Sequence, residues 1–260
     1  MRAVKTQYSN LGKEKEHLDQ QFKNQVDEDM QALRDSALQD CRELEKDITI
    51  EEVTGVINHL KSFKAAGPSK IWNEMLIFGG EAAARLLKIA FNVLQRREVI
   101  PDEWLKGLII SLFKKGDKTK LDNYRGITLQ DVIGKIFSKI LSNRIYKYLD
   151  NHNILDEDQA GFRRGRQCME HIHSLYEVTA EAKRKGSHLF MFFLDLKKAF
   201  DSVWRNGMLK ALADAGIQGK TWRLIDKLHT DTRCAVLVKG KQSELFEIYQ
   251  GAQGSTLCSS

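Results

Sequence analysis

The sequence is poor in the features that mark a secreted, metal-stapled or membrane-spanning chain. It has four cysteines, Cys41, Cys168, Cys234 and Cys258, and no two of them form a C-x-x-C pair. That argues against a disulfide scaffold or a local zinc site and suits a reducing compartment. The stretch after Met1 is polar and charged, unlike the apolar core of a secretory leader. No apolar run approaches the roughly 18 residues needed to span a bilayer. The expectation is a soluble intracellular chain, cytoplasmic or nuclear, with no membrane partner. Proline is scarce as well: only Pro68 and Pro101 occur, each at a break between helical patterns. No internal repeat or low-complexity tract is visible.

What is present points to a polyanion. The 260 residues suffice for one large domain or two lobes with a core that needs no staples. Net charge is +6 and the pI about 9.0. The basic residues cluster in LFKKGDKTK (Leu112–Lys120), GFRRGR (Gly161–Arg166) and EAKRKG (Glu181–Gly186). Any one cluster reads as a solvated face; three of them flanking apolar elements favour nucleic acid or nucleotide.

Periodicity sets the elements. Residues 1–45 carry a narrow apolar seam (Leu18, Phe22, Val26, Met30, Leu33, Cys41, Leu44), which predicts a long helix packed on another surface, with a short coiled coil as the alternative. Thr49-Ile50-Glu51-Glu52 matches a capping box, opening a helix buried through Val53, Val56, Ile57 and Leu60. Glu81–Arg97 predicts a helix buried through Leu86, Leu87, Ala90, Phe91 and Leu94. WLKGLIISLF (Trp104–Phe113) predicts a buried strand, followed by a turn at Gly116-Asp117. Leu129–Leu149 has the clearest apolar helical face, running from Leu129 and Val132 to Ile145 and Tyr148. Further helices are predicted at Met169–Lys183, Met208–Ala215 and Trp222–Leu228, and a hairpin at Cys234–Val238 and Leu245–Tyr249. Leu189–Leu194 is continuously apolar, the pattern of a strand covered on both faces. The fold class is α+β, rich in helices around a small antiparallel sheet.

One stretch carries chemistry, FFLDLKKAFDSVW (Phe192–Trp204). An apolar strand ending on Asp195 puts a carboxylate at a sheet rim, where it is costly unless paired or bound to a cation. Magnesium takes hard oxygen ligands completed by substrate phosphates, so Asp195 and the Leu196 carbonyl are candidate ligands. Asp201 is better read as capping the next helix. A phosphatase-like DxD nucleophile is excluded, because Lys197 stands where the second aspartate is needed.

FLDLKKAFDSV resembles motif A of reverse transcriptases, particularly those of non-LTR (LINE-type) retrotransposons. Four other blocks follow the same order: AAGPSKIWNEML (Ala65–Leu76), SLFKKGDKTKLDNYRGITL (Ser111–Leu129), QAGFRRGRQCMEHI (Gln159–Ile172) and QGAQGSTLCSS (Gln250–Ser260), the last resembling the start of motif B. The resemblance covers about residues 46–260. It implies a right-hand polymerase with fingers over 46–187 and part of a palm over 188–260, preceded by a helical N-terminal linker at 1–45. It implies Asp195 as a catalytic metal ligand, with two magnesium ions in the complete family enzyme. Lys114, Lys115 and Arg125 would close over the dNTP triphosphate, although Lys115 reads equally as part of a solvated turn. Phe200 would be a steric gate against a ribose 2′-hydroxyl, with core packing as its alternative. Gln253 and Gly254 would lie against the nucleotide, and Arg163, Arg164 and Arg166 would track the template backbone. The partners implied are an RNA template, a DNA primer and dNTP.

The sequence also departs from the family pattern. Ser69-Lys70 replaces Asp-Gly, Leu112-Phe113 stands where a proline is common, and Gly251-Ala252-Gln253-Gly254 is one residue short. The aspartate pair that completes the metal site, the thumb and an upstream endonuclease do not appear within the 260 residues. The expectation is an incomplete palm, inactive alone. A non-catalytic RNA- or DNA-binding module and a helical interaction fragment are the alternatives.

Overall fold

The computed structural model describes residues 2–11, 13, 19–35, 41–196 and 199–251. Helices α3 (Ile50–Ile57), α4 (Asn73–Arg97) and α5 (Val132–Asn151) build the largest core. The predicted capping box forms: Thr49 accepts from the Glu52 N–H, and Glu52 in turn accepts from the Thr49 N–H at 2.9 Å. Asp131 caps α5 by accepting from the Ile133 and Gly134 N–H groups, so the helix starts three residues after the expected Leu129. Its apolar face is buried at Val132, Ile136, Phe137, Ile140, Leu141 and Ile145. Phe137 meets Phe91 and Trp104 at centroid distances of 5.3 and 5.5 Å, tilted as aromatic quadrupoles prefer.

Gly67 explains the break at Ala66-Gly67-Pro68. A side chain there would put its Cβ 2.3 Å from the Gln130 carbonyl oxygen, so only glycine lets the chain pass the start of α5. In α4, Leu87 and Phe91 are buried as expected, but Leu86 and Ala90 are exposed. The helix is apolar on two adjacent faces, and α3 and α5 cover only one of them.

A second core joins α2 (Gln20–Asp35), α7 (Arg205–Asp214) and α8 (Gly219–His229) around the fully buried Trp222. Val26 and Met30 of the N-terminal seam are buried here, so α2 packs on the body of the molecule rather than forming a coiled coil with another chain. The described part of 1–45 holds two helices instead of one, α1 (Arg2–Leu11) and α2.

The sheet contains β1 (Lys106–Phe113), β2 (Tyr124–Leu129), β3 (Arg233–Val238), β4 (Lys241–Gln242) and β5 (Phe246–Glu247). Its order is β2-β1-β3-β4, with β5 also on β3. The sheet is mixed, which corrects the expected antiparallel one. β1 and β3 run parallel, with Ile109 opposite Val236, as a connection long enough to hold several helices permits. Helix α1 covers one sheet face, where Tyr8 packs with Ile109, Cys234 and Val236.

The largest correction concerns Leu189–Leu194. This run is not a strand; residues 187–196 have no regular structure, and Phe190 is 93% and Phe192 87% exposed. A continuous apolar pattern records a demand for burial on both faces but supplies no partner strand. Among the described residues nothing pairs with it. Helix α6 (Cys168–Arg184), which precedes it, likewise buries no residue.

Candidate nucleotide and nucleic-acid site

The β1–β2 hairpin presents the first group of candidates. Lys114 follows β1 and its N–H donates to the Asn123 carbonyl at 2.8 Å, closing the loop against β2. Inside the loop, Asp117 accepts from the Thr119 N–H and hydroxyl, which hold its pKa below the usual value, and Asn123 donates to the Asp117 carbonyl. This Asp-initiated turn is a compact frame for exposed cations. Arg125 lies opposite Leu112 in the ladder, on the face away from Tyr8. Among the described residues no carboxylate pairs with Lys114, Lys115 or Arg125.

The Gly161–Arg166 loop behaves differently. Arg163 donates to the Asp156 carbonyl at 2.7 Å and lies 3.7 Å from Asp150. Arg164 donates to Asn143 at 2.7 Å and stacks over Tyr146 at 5.0 Å. Arg166 bridges Glu157 and Glu170. All three tie the loop to α5, the segment after it or the start of α6. A template phosphate would have to displace these partners.

Asp195 is exposed at the end of the irregular apolar run, and no described residue pairs with it. Among the described residues no group of three His, Cys, Asp or Glu side chains converges on a point. Asp195 and the Leu196 carbonyl therefore offer magnesium only part of a coordination shell. Asp201 does not cap the next helix, contrary to expectation. The residue preceding α7 is Trp204, which makes no side-chain cap, and Asp201 sits in a separate turn at Phe200–Ser202.

That turn brings Phe200 together with neighbours of two other candidate groups, Phe162 and Gly251. Phe200 is 42% exposed, so it is not core packing, and it meets Phe162 of the arginine loop edge-on at 6.1 Å. Gly251 donates its N–H to the Val203 carbonyl at 2.8 Å. A Cβ on Gly251 would lie 3.1 Å from the carbonyl oxygens of both Phe200 and Asp201. With φ at +89°, the position suits glycine on both counts. Gln253 and Gly254 lie outside the described residues.

Sequence reasoning missed Arg205. It is 8% exposed, and its guanidinium donates to the carbonyls of Gly251, Ile248 and His229. Burial lowers its pKa to about 10, so it stays protonated at neutral pH. Its position one residue after an aromatic, at a helix start, carries no sequence signal for such a role. Tyr8 was missed as well, because its burial depends on Ile109, Cys234 and Val236, strand residues far along the chain.

Residues 113–259 match the family model described as "Reverse transcriptase (RNA-dependent DNA polymerase)". Over 212 residues, 81% of this chain, the sequence is 28% identical to the RNA-directed DNA polymerase from mobile element jockey of Drosophila melanogaster, and covers 23% of that protein. It is 31% identical over 158 residues, 60% of the chain, to the probable RNA-directed DNA polymerase from transposon X-element of the same organism, covering 17% of it. A third match, to the probable RNA-directed DNA polymerase from transposon BS, also of Drosophila melanogaster, is 27% identical over 63% of the chain and 18% of that protein. The chain thus spans less than a quarter of the length of these relatives.

Proposed function

Because the chain belongs to the reverse transcriptase (RNA-dependent DNA polymerase) family, we propose that it serves as the fingers and part of the palm of an RNA-directed DNA polymerase. Residues 46–187 act as the fingers and 188–260 as palm, with 1–45 a linker whose helices α1 and α2 pack on both. The division falls within one sheet, since β1 of the fingers and β3 of the palm are paired.

The observation that carries this reading is a hairpin on which, among the described residues, Lys114, Lys115 and Arg125 have no carboxylate partner. A triphosphate or nucleic-acid backbone supplies the missing negative charge. Arg125 suits two phosphate oxygens at once through its planar fork, while Lys114 and Lys115 act as point charges. In this reading Phe200, half-exposed beside Gly251, presses on the nucleotide sugar. Asp195 and Leu196 offer ligands to a divalent ion, as reverse transcriptases generally use, but further carboxylates must complete the set. The partners in this reading are an RNA template, a DNA primer and dNTP. Arg163, Arg164 and Arg166 contact the template only by exchanging their present partners.

Changing Lys114, Lys115 and Arg125 together to Ala should weaken template–primer and dNTP binding while leaving the melting transition in place. The log–log salt slope of template–primer binding should become shallower by about 2–3. Unchanged affinity and slope in the triple variant would refute the assignment. A second reading, a non-catalytic RNA- or DNA-binding module, is favoured by the absence, among the described residues, of any group of three His, Cys, Asp or Glu side chains that could hold a metal ion. Template–primer binding without any dNTP affinity would select it.

A further inference from the structure

Arg205 is a buried charged group that the proposed function leaves unused. Its Nε donates to the Gly251 carbonyl at 3.1 Å, and one Nη donates to the Ile248 carbonyl at 2.7 Å and also to the His229 carbonyl. Among the described residues no carboxylate pairs with it. A buried cation solvated only by carbonyl dipoles is held by geometry, because each acceptor must stay in place to offset lost hydration. Arg144 offers a contrast within the same molecule. It too is buried and binds the carbonyls of Leu44, Lys46 and Asp47, but it also pairs with both oxygens of Glu52.

The acceptors of Arg205 are not scattered. Two of them, Ile248 and Gly251, flank Gln250, whose side chain donates to the Leu11 carbonyl at 2.8 Å and so ties α1 to the same turn. Gly251 abuts the carbonyls of Phe200 and Asp201 and bonds to Val203. The side chain of Arg205 therefore links the 248–251 turn to the first residue of α7, only five positions after Phe200. Lysine cannot reproduce this, since a single ammonium on a flexible stem lacks the rigid spread of donors that reaches separate carbonyls.

We propose that Arg205 is a positioning residue for the nucleotide pocket: it fixes the gap between the Phe200 turn and Gly251, and thereby sets how strongly a ribose 2′-hydroxyl is rejected. The inference rests on the proposed function, in which Phe200 lies against the sugar. Arg205 touches no substrate and acts only through the turn it holds.

The test compares Arg205→Lys and Gly251→Ala with the wild-type 260-residue chain, using dATP and ATP binding in the presence of an oligo(dA)-primed poly(rU) or poly(dT) template. Arg205→Lys should raise hydrogen exchange at the Gly251 amide by about tenfold without changing exchange in α5. It should also lower the preference for dATP over ATP by about tenfold, chiefly through ATP binding better. Gly251→Ala, which shifts the same gap while keeping the Arg205 side chain, should lower the preference in the same direction. Retention of the full preference in both variants while the Gly251 amide exchanges faster would overturn the inference, leaving Arg205 a purely structural clamp. Unchanged exchange at Gly251 in Arg205→Lys would overturn it too. Wild-type chain that binds neither nucleotide would instead overturn the proposed function on which it rests.

Discussion

Helices α5 and α6 are similar in length and both are amphipathic in sequence, yet one is the spine of the molecule and the other buries nothing. Helix α5 meets α3, α4 and the second core, and Arg144 fastens its outer turn to residues 44–52. Helix α6 is held by its own local pairs, such as Glu181 with Arg184 and Lys185, and leaves Met169, Ile172 and Tyr176 in solvent. The segment after it continues the pattern, with an apolar run that no described strand accepts. The lesson is that amphipathicity states what an element needs, not whether the residues at hand provide it. Here the candidate cations of the hairpin stand on the packed part, and Asp195 stands on the exposed part.

The sharpest way to break that contrast is a pair of large-to-small substitutions. Phe137→Ala should cost ~3–5 kcal/mol of unfolding free energy, since it empties the aromatic cluster with Phe91 and Trp104. Tyr176→Ala on α6 should change stability by no more than ~0.5 kcal/mol. A loss at Tyr176 near that at Phe137, measured by urea denaturation, would mean that α6 is packed in solution.

The next effect is electrostatic and belongs to the packed part alone. Arg144→Met should cost about 3 kcal/mol by leaving the part-buried Glu52 carboxylate and three carbonyls without their partner. Burial by itself would raise the Glu52 pKa, but the bonds from Arg144 and the Thr49 N–H outweigh it and hold the carboxyl below its ordinary 4.5. A depressed carboxylate pKa gives stability that is present above the unfolded value and is lost as pH falls through the folded one. Acid titration should therefore destabilise the wild type below about pH 4.5 more steeply than Glu52→Gln. Parallel pH profiles for the two proteins would show that the pair contributes nothing.

The smallest effect on stability falls on the apolar run. Phe190→Ser with Phe192→Ser should leave the unfolding free energy within ~0.5 kcal/mol, because both rings are exposed. The same pair should raise the concentration at which the chain stays monomeric, since contiguous exposed apolar surface promotes association. Light scattering on the two proteins checks this, and equal scattering with a lower melting temperature would place the rings in a core.

Most of the helices were legible because their signals are local. The Thr49–Glu52 box, the α5 stripe and the Pro101 stop each act within a turn or two, and each appears where expected, give or take a few residues. The β2 strand was not foreseen, because YRGITL (Tyr124–Leu129) is polar at one end and owes its form to pairing with β1. The parallel pairing of β1 with β3 has no local signature either. For the candidate site, the hairpin cations and Phe200 could be named from sequence, and the arginine loop could be named but not its partners. Whether Arg163 faces a phosphate or Asp150 depends on where α5 ends in space. Arg205 was out of reach for the same reason, since its acceptors lie 24 to 46 residues away.

Hydrogen exchange followed residue by residue tests the central contrast most directly, with α5 as the internal reference. The amides of Ile136, Phe137, Ile140 and Leu141 should exchange only through global opening, whereas those of Leu189–Leu194 should exchange at close to unfolded-chain rates. Protection of Leu189–Leu194 comparable to that of α5 would contradict the account, because it would require a strand partner that the described residues do not contain.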